Sequence, residues 1–294
     1  MSLLLALMQE NPQTAHAASE SATAAAQAAE HGGSEPFNAG NMILEHILDS
    51  DHLDFHPFGT IPLPQIHILG LDLSITRHVA MMWLASIVLI VVAVLAARIQ
   101  KRGAGRLGQV AETVVLFVRD ELAIPNIGHH GARYVPYLVS TFLFILFCNL
   151  LGLVPFGAAT TGNISVTAAL ALMAFGMMQM SGIREYGVVG HFKHLVPAGV
   201  PGWMMIIMIP VEIIGMVAKP FALCIRLFAN MMGGHVVILS LLGLIFIMGS
   251  WFVVPISVGF ALFINILELL VAFIQAYIFT MLTSLFIGMS VHPH

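Results

Sequence analysis

The sequence predicts an all-α integral membrane protein. We expect about five membrane helices, the last two long and tilted as an antiparallel hairpin, plus an amphipathic interfacial helix. Hydrophobic residues make up 59% of the 294 residues and charged residues only 9%, whereas soluble domains carry about 25% charged residues. The apolar segments are continuous and lack the alternation, over about ten residues, of membrane β-barrel strands. The two cysteines, Cys148 and Cys224, lie inside apolar segments and predict neither a disulfide framework nor a metal motif.

Residues 1–76 form an acidic N-terminal segment that contains no Lys or Arg. Its first 40 residues are rich in Ala, Ser, Gln and Gly, which predicts partial disorder. The first membrane helix is predicted over 78–97 and is followed at once by Arg98, Lys101, Arg102 and Arg106. By the positive-inside rule, this end is cytoplasmic and the N-terminal segment lies outside the membrane. Residues 77–294 are predicted to form the membrane domain.

The middle of the chain predicts one surface helix and two further spans. Residues 107–122 are amphipathic, as expected of a helix on the cytoplasmic membrane surface. The second and third spans are predicted over 134–154 and 164–183, joined by an uncharged outer turn. Two histidines in the following inner loop, His191 and His194, are interpreted as solvated, because no carboxylate or cysteine completes a metal ligand set.

The last two apolar stretches, 202–248 and 253–289, are much longer than the roughly 20 residues that a perpendicular span needs. Each could hold two spans or one long, tilted helix. Neither stretch contains a polar loop, which favours two long helices joined by a turn at 249–255. Five spans then leave the C-terminus in the cytoplasm.

The first of these helices carries Glu212, Lys219 and Arg226 at intervals of seven residues. A seven-residue step drifts by only about 20°, so the three side chains share one stripe, and Asn230 lies on the same side. Internal charge pairing remains an alternative role for Glu212 and Lys219. Arg226 keeps its proton at physiological pH and costs about 2.5–3.5 kcal/mol or more near a bilayer centre, which indicates a functional role.

The last helix carries Glu268 and Gln275 on one face. An antiparallel hairpin register places His235 level with Glu268 and Arg226 level with Gln275. His235 lies about 180° around its helix from Arg226. Histidine and glutamate can each gain and lose a proton, so this pair could form a proton relay that ends at a fixed cation. A neutralised buried couple with a structural role is the alternative.

These residues carry a resemblance to a known family. The block from Pro210 to His235, with 149–155 and 275–283, closely resembles subunit a of the F-type ATP synthase membrane sector. The resemblance covers roughly residues 75–290. It implies a multi-pass protein of the bacterial plasma (inner) membrane, beside a rotating ring of c subunits. It also implies partners in b-type peripheral stalk subunits and the remainder of the complex, with no nucleic acid, cofactor or metal.

The resemblance also implies roles for the polar residues. Arg226 would separate two half-channels and attract each ionised ring carboxylate, while Asn230 and Gln275 would line the same zone. His235 and Glu268 would serve the outer half-channel, and Glu212 the inner one. Lys219 is a further candidate beside Glu212. Many bacterial members have the acid and the histidine exchanged relative to His235 and Glu268, which leaves the order of proton transfer open, and the acidic N-terminal segment has no recognised counterpart.

The chain contains no Gly-x-x-x-x-Gly-Lys-Ser/Thr motif, so it has no catalytic nucleotide site of its own, and nucleotide chemistry belongs to its partners. The leading hypothesis is the stator of a proton-driven rotary motor. A self-contained ion transporter or channel is the alternative, although the sequence shows neither the inverted repeats nor the broken helices common in transporters. A purely structural anchor would leave the cost of Arg226 unexplained.

Overall fold

The computed structural model describes residues 76–101, 105–154, 159–193 and 202–291, together with the backbone of four short strands between 52 and 72. Five of the described helices are long and apolar enough to cross a membrane. The prediction of an all-α membrane domain is therefore confirmed. The disorder predicted for the first 40 residues lies outside the described part of the chain.

Two short antiparallel ribbons precede the membrane domain. Strand β1 (His52–Phe55) pairs with β2 (Gly59–Pro62), and β3 (His67–Ile68) pairs with β4 (Leu71–Asp72). These strands were not predicted, because strands of two to four residues are too short to show a clear alternating pattern.

Helix α1 (Arg77–Lys101) is the first candidate span. The predicted amphipathic segment is divided into helix α2 (Arg106–Phe117) and a π-helical turn at Val118–Ala123. Apolar side chains along α2 are exposed, among them Leu107, Val110, Val115 and Leu116. This exposure suits a helix in contact with lipid, and its location at the membrane surface stays a prediction.

A short helix, α3 (Ile124–Ile127), and a 3-10 turn (Gly128–Arg133) lead into the second candidate span, α4 (Val135–Gly152). A second 3-10 turn (Thr160–Gly162) precedes α5 (Ile164–Lys193). Helix α5 extends ten residues beyond the predicted end, but its backbone is non-helical at Gly187, where φ is 72° and ψ is 168°. The segment after Gly187 therefore changes direction, and part of the predicted solvated loop becomes helical.

The last two helices, α6 (Gly202–Met248) and α7 (Val253–Val291), are single long helices joined by a short turn. The predicted hairpin is confirmed, because side chains of α6 and α7 pair in antiparallel register. At about 1.5 Å per residue, each helix far exceeds a hydrocarbon core of about 30 Å. They fit within a membrane only when strongly tilted.

The core lies where α4, α5, α6, α7 and the π-helical turn meet. Its largest fully buried side chains include Leu122, Ile127, Leu138, Ile145, Leu227, Phe279 and Ile287. The opposite surface of the α6–α7 hairpin is apolar and exposed along much of its length, with Ile214, Phe221, Phe263, Ile266, Leu270 and Phe273 among its residues. Among the polar residues of the hairpin, Glu268 and Gln275 are buried, whereas Arg226 is exposed.

Candidate functional site

A histidine–glutamate pair links the C-terminal half of α6 to the N-terminal half of α7. The Nδ1 atom of His235 lies 2.9 Å from Oε1 of Glu268, so the predicted proximity is confirmed. Glu268 is buried, with 5% of its side chain exposed, whereas 28% of the His235 side chain is exposed. His235 is therefore the more accessible member of the pair, and Glu268 is the deeper one.

The carbonyl oxygen of Gly152, at the end of α4, fixes the protonation pattern of this pair. Nε2 of His235 lies 3.2 Å from this oxygen. A carbonyl oxygen only accepts hydrogen bonds, so Nε2 carries a proton. The contact between Nδ1 and Glu268 then holds one shared proton, either on the carboxyl group of a neutral pair or on the imidazolium of an ion pair. This hydrogen bond is a direct route for proton transfer.

The backbone of α6 leaves room for the Glu268 carboxyl group only because residue 234 is glycine. A Cβ atom added to Gly234 would lie 2.6 Å from Cδ of Glu268 and 2.9 Å from its Cγ. The second carboxylate oxygen, Oε2, is buried and has no hydrogen-bond partner among the described residues. An unsatisfied buried oxygen of this kind suits a group that accepts and releases protons.

A second polar layer lies deeper along the hairpin. Nδ2 of Asn230 donates a hydrogen bond of 2.8 Å to Oε1 of Gln275, and Gln275 is buried. The sequence register placed Gln275 level with Arg226, but its hydrogen-bond partner is Asn230, one turn further along α6. The predicted register therefore holds for His235 and Glu268. Gln275 instead contacts Asn230, which lies on the same stripe of α6 as Arg226.

Two residues that the sequence analysis did not single out complete this layer. Thr161 Oγ1 donates to Oδ1 of Asn149 at 2.7 Å, and Asn149 Nδ2 approaches the carbonyl oxygen of Ala272 at 3.5 Å. A cavity of about 10 Å³ lies among Asn149, Asn230, Glu268 and Gln275. This is close to the minimum of about 10–15 Å³ that one water molecule needs. Asn149 was detectable as an amide inside an apolar run.

Arg226 is exposed on the surface of α6. Among the ion pairs of the described residues, none involves Arg226. Its neighbours Leu223 and Leu227 face the core, and Phe221 and Ile225 are exposed beside it. The guanidinium group therefore belongs to the apolar outer surface of the hairpin rather than to the interior of the chain.

The opposite end of the hairpin contains a larger cavity, of about 120 Å³, between α5, α6 and α7. Glu212 and Lys219 line it together with His191 and Gln179. Nζ of Lys219 lies 5.6 Å from the ring centroid of Phe286 on α7, a cation–π distance. The structure thus brings Glu212 and Lys219 to one cavity, and it adds a buried histidine that the sequence analysis interpreted as part of a solvated loop.

Comparisons with known proteins show the family of this chain. The family described as ATP synthase A chain matches residues 79–288. The chain is 49% identical over 253 residues to ATP synthase subunit a of Chloroherpeton thalassium, covering 84% of this chain and 76% of the relative. It is 54% identical over 233 residues to ATP synthase subunit a of Myxococcus xanthus, covering 76% of each.

ATP synthase subunit a 2 of Prosthecochloris aestuarii is 48% identical over 283 residues, covering 94% of this chain and 86% of the relative. These matches confirm the resemblance that the motifs around Arg226 predicted. The family match includes the residues of both polar layers of the hairpin. The chain therefore belongs to the ATP synthase A chain family.

Proposed function

We propose that this chain is the proton-channel stator subunit of a rotary ATP synthase. The observation that carries the proposal is the placement of two polar regions on opposite sides of Arg226 along α6. His235 lies nine residues beyond Arg226, about 13 Å along the helix, whereas Lys219 and Glu212 lie seven and fourteen residues before it, about 10 and 21 Å. This placement supports two half-channels that meet only at the level of Arg226.

In the outer half-channel, we infer that protons pass from His235 to Glu268. The greater exposure of His235 and the burial of Glu268 support this order. From Glu268, the small cavity beside Asn230 and Gln275 leads toward the level of Arg226. This cavity has room for about one water molecule, which would relay protons onward from Glu268.

A partner on the exposed face of the hairpin would receive these protons. A ring of c subunits, each with a membrane carboxyl group, fits the family and the exposed apolar surface around Arg226. Arg226 would attract each carboxylate in its ionised form and prevent protons from passing directly between the half-channels. The membrane potential supplies about 2.3 kcal/mol per charge per 100 mV, and this energy drives rotation only if protons travel with the ring.

The rest of the assembly follows from the same proposal. The chain would be fixed by b-type peripheral stalk subunits in a bacterial inner membrane, with its N-terminus outside and its C-terminus in the cytoplasm. Arg98 and Lys101 at the end of α1 support this orientation. The larger cavity with Glu212 and Lys219 would then open toward the cytoplasm as the inner half-channel. Nucleotide chemistry would belong to other subunits of the complex.

The test is Arg226→Ala in the complete complex, reconstituted into vesicles. ATP synthesis driven by an imposed proton gradient should be abolished while the complex assembles normally. Arg119→Ala is the matched control, because Arg119 is 51% exposed and pairs loosely with Asp120 at 3.7 Å, a contact worth about 0–1 kcal/mol. Gradient-driven synthesis in the Arg226→Ala complex at the rate of the control would contradict the proposal. Proton transport by the purified chain alone would favour a self-contained transporter.

A further inference from the structure

His191 is brought into the larger cavity by the change of direction in α5. Its Nε2 atom lies 2.6 Å from Oε1 of Gln179, twelve residues earlier. In a straight helix, residues twelve apart are separated by about 18 Å. The contact therefore exists because the backbone turns at Gly187, whose φ of 72° is a conformation that favours glycine.

The space for the imidazole ring depends on a second glycine of the same helix. A Cβ atom added to Gly182 would collide with Nδ1 of His191 and with Oγ of Ser290 on α7. The ring is thus held between the backbone of α5 and the end of α7, and the residue is only 9% exposed. A solvated loop histidine would have neither this burial nor these fixed neighbours.

Gln179 determines which nitrogen of His191 takes part in proton transfer. Nε2 of Gln179 donates to Sδ of Met216 on α6 at 2.7 Å, so its Oε1 atom faces His191 as an acceptor. His191 Nε2 therefore carries a proton and donates it in a hydrogen bond. Nδ1 is consequently the atom that can gain and lose a proton, and it lies on the side of Gly182 and Ser290.

The surrounding groups make the cavity suitable for proton movement. Glu212 and Lys219 line it from α6, Tyr186 from α5 and Ser290 from α7. Tyr186 donates a 2.7 Å hydrogen bond to the carbonyl oxygen of Val291, which ties the turn of α5 to the last turn of α7. At about 10–15 Å³ per water molecule, the volume of about 120 Å³ accommodates several waters.

We propose that His191 is a proton-transfer residue of this cavity, exchanging protons between its water and the Glu212 carboxyl group. Uptake of a proton at Nδ1 forms the imidazolium, and release to the next water or carboxylate restores the neutral ring. The inference rests on the proposed function, because it assigns His191 to the path between Arg226 and the cytoplasm. It adds a histidine on α5 to Glu212 and Lys219, the charged side chains that line the cavity from α6.

The experiment compares His191→Gln with the unmodified complex in reconstituted vesicles. Glutamine keeps an amide donor that can bond to Gln179 but cannot carry a proton. ATP synthesis driven by a potassium diffusion potential should fall about tenfold, less than the ~10²-fold that a positioned proton-transfer group can contribute, because the cavity waters still conduct. His129→Gln, the same change at an exposed histidine, should leave the rate unchanged. A normal rate for His191→Gln would overturn the proposal.

His191→Ala provides an independent readout, because it leaves a space of imidazole size. Imidazole added on the cytoplasmic side should restore synthesis in this variant relative to the unmodified complex in the same buffer. A slow His191→Ala complex without such rescue would show a structural role and overturn the proposal. If Arg226→Ala blocks synthesis in the same vesicles while His191→Gln does not slow it, only this inference fails. If Arg226→Ala remains coupled, the proposed function itself fails.

Discussion

The hydrogen bond between His235 and Glu268 can be broken without altering either residue, by adding one methyl group to α6. In Gly234→Ala, the new Cβ would lie 2.6 Å from Cδ of Glu268, whereas ordinary contacts begin near 3.4 Å. The carboxyl group must retreat by about 0.8 Å, away from the helix that also carries His235. A bond of 2.9 Å lengthened by that amount reaches about 3.7 Å, which is beyond hydrogen-bond distance.

The expected effect follows from the energy of that contact. A hydrogen bond to a charged group contributes about 1.5–3 kcal/mol, and each 1.4 kcal/mol corresponds to about tenfold in population. The aligned pair should therefore become about 10- to 150-fold less populated. We expect the initial rate of ATP-driven proton uptake by inverted vesicles to fall at least about tenfold and to approach that of Glu268→Gln.

Gly176→Ala is the matched control, since a Cβ at Gly176 has no neighbour within 4 Å. Both substitutions replace a mid-helix glycine, so both gain about 1 kcal/mol of helix propensity, and only Gly234→Ala meets the carboxyl group. Rates are compared per assembled complex. Proton uptake by Gly234→Ala within twofold of Gly176→Ala, together with a slow Glu268→Gln complex, would refute the role assigned to the 2.9 Å contact.

Two further predictions concern the packing of the hairpin. A double-mutant cycle of Asn230→Ala and Gln275→Ala, read from unfolding in denaturing detergent, should give a coupling of about 1 kcal/mol for their hydrogen bond, and additive effects would contradict it. Gly288→Ala places a Cβ 2.9 Å from the carbonyl carbon of Asn126, and backbone yields less than a side chain. We expect a loss of about 1–3 kcal/mol, measured as earlier thermal dissociation of the purified complex than for Gly259→Ala, whose Cβ meets nothing within 4 Å.

The residues that the sequence located best are those on the two helices of one hairpin. Because neither stretch contains a polar loop, the turn between the helices is limited to a few residues. The antiparallel register then follows from the number of residues between each side chain and the turn. His235 contacts Glu268 as this register predicts. Counting gives the level of a residue but only coarsely its direction. Asn230 therefore contacts Gln275, and Arg226, about 40° further around the helix, faces outward.

Contacts contributed by other helices could not be predicted in this way. His235 contacts the carbonyl oxygen of Gly152, which lies 83 residues earlier in the sequence. Every residue has a backbone carbonyl, so the residue type at position 152 does not indicate this contact. His191 was assigned to a loop because the turn at Gly187 interrupts the helical pattern before it. A glycine can occur either within a continuous helix or at a helix break. The break at Gly187 allows His191 to contact Gln179, and this contact is not visible in the local sequence.

In the proposed complex, the exposure of Arg226 would link ring binding to proton release. A guanidinium facing lipid costs about 2.5–3.5 kcal/mol or more, and the acids of the hairpin do not offset this cost. Glu212 is about 21 Å away along α6, and Glu268 is bonded to His235. In the proposed complex, an ionised carboxylate of the ring would offset this cost, whereas a protonated carboxyl group would leave the charge unpaired. Under the proposed function, each ring carboxyl group that reaches Arg226 would be ionised there and would regain a proton only after leaving. In this proposal, the charge of Arg226 would couple proton transfer to rotation.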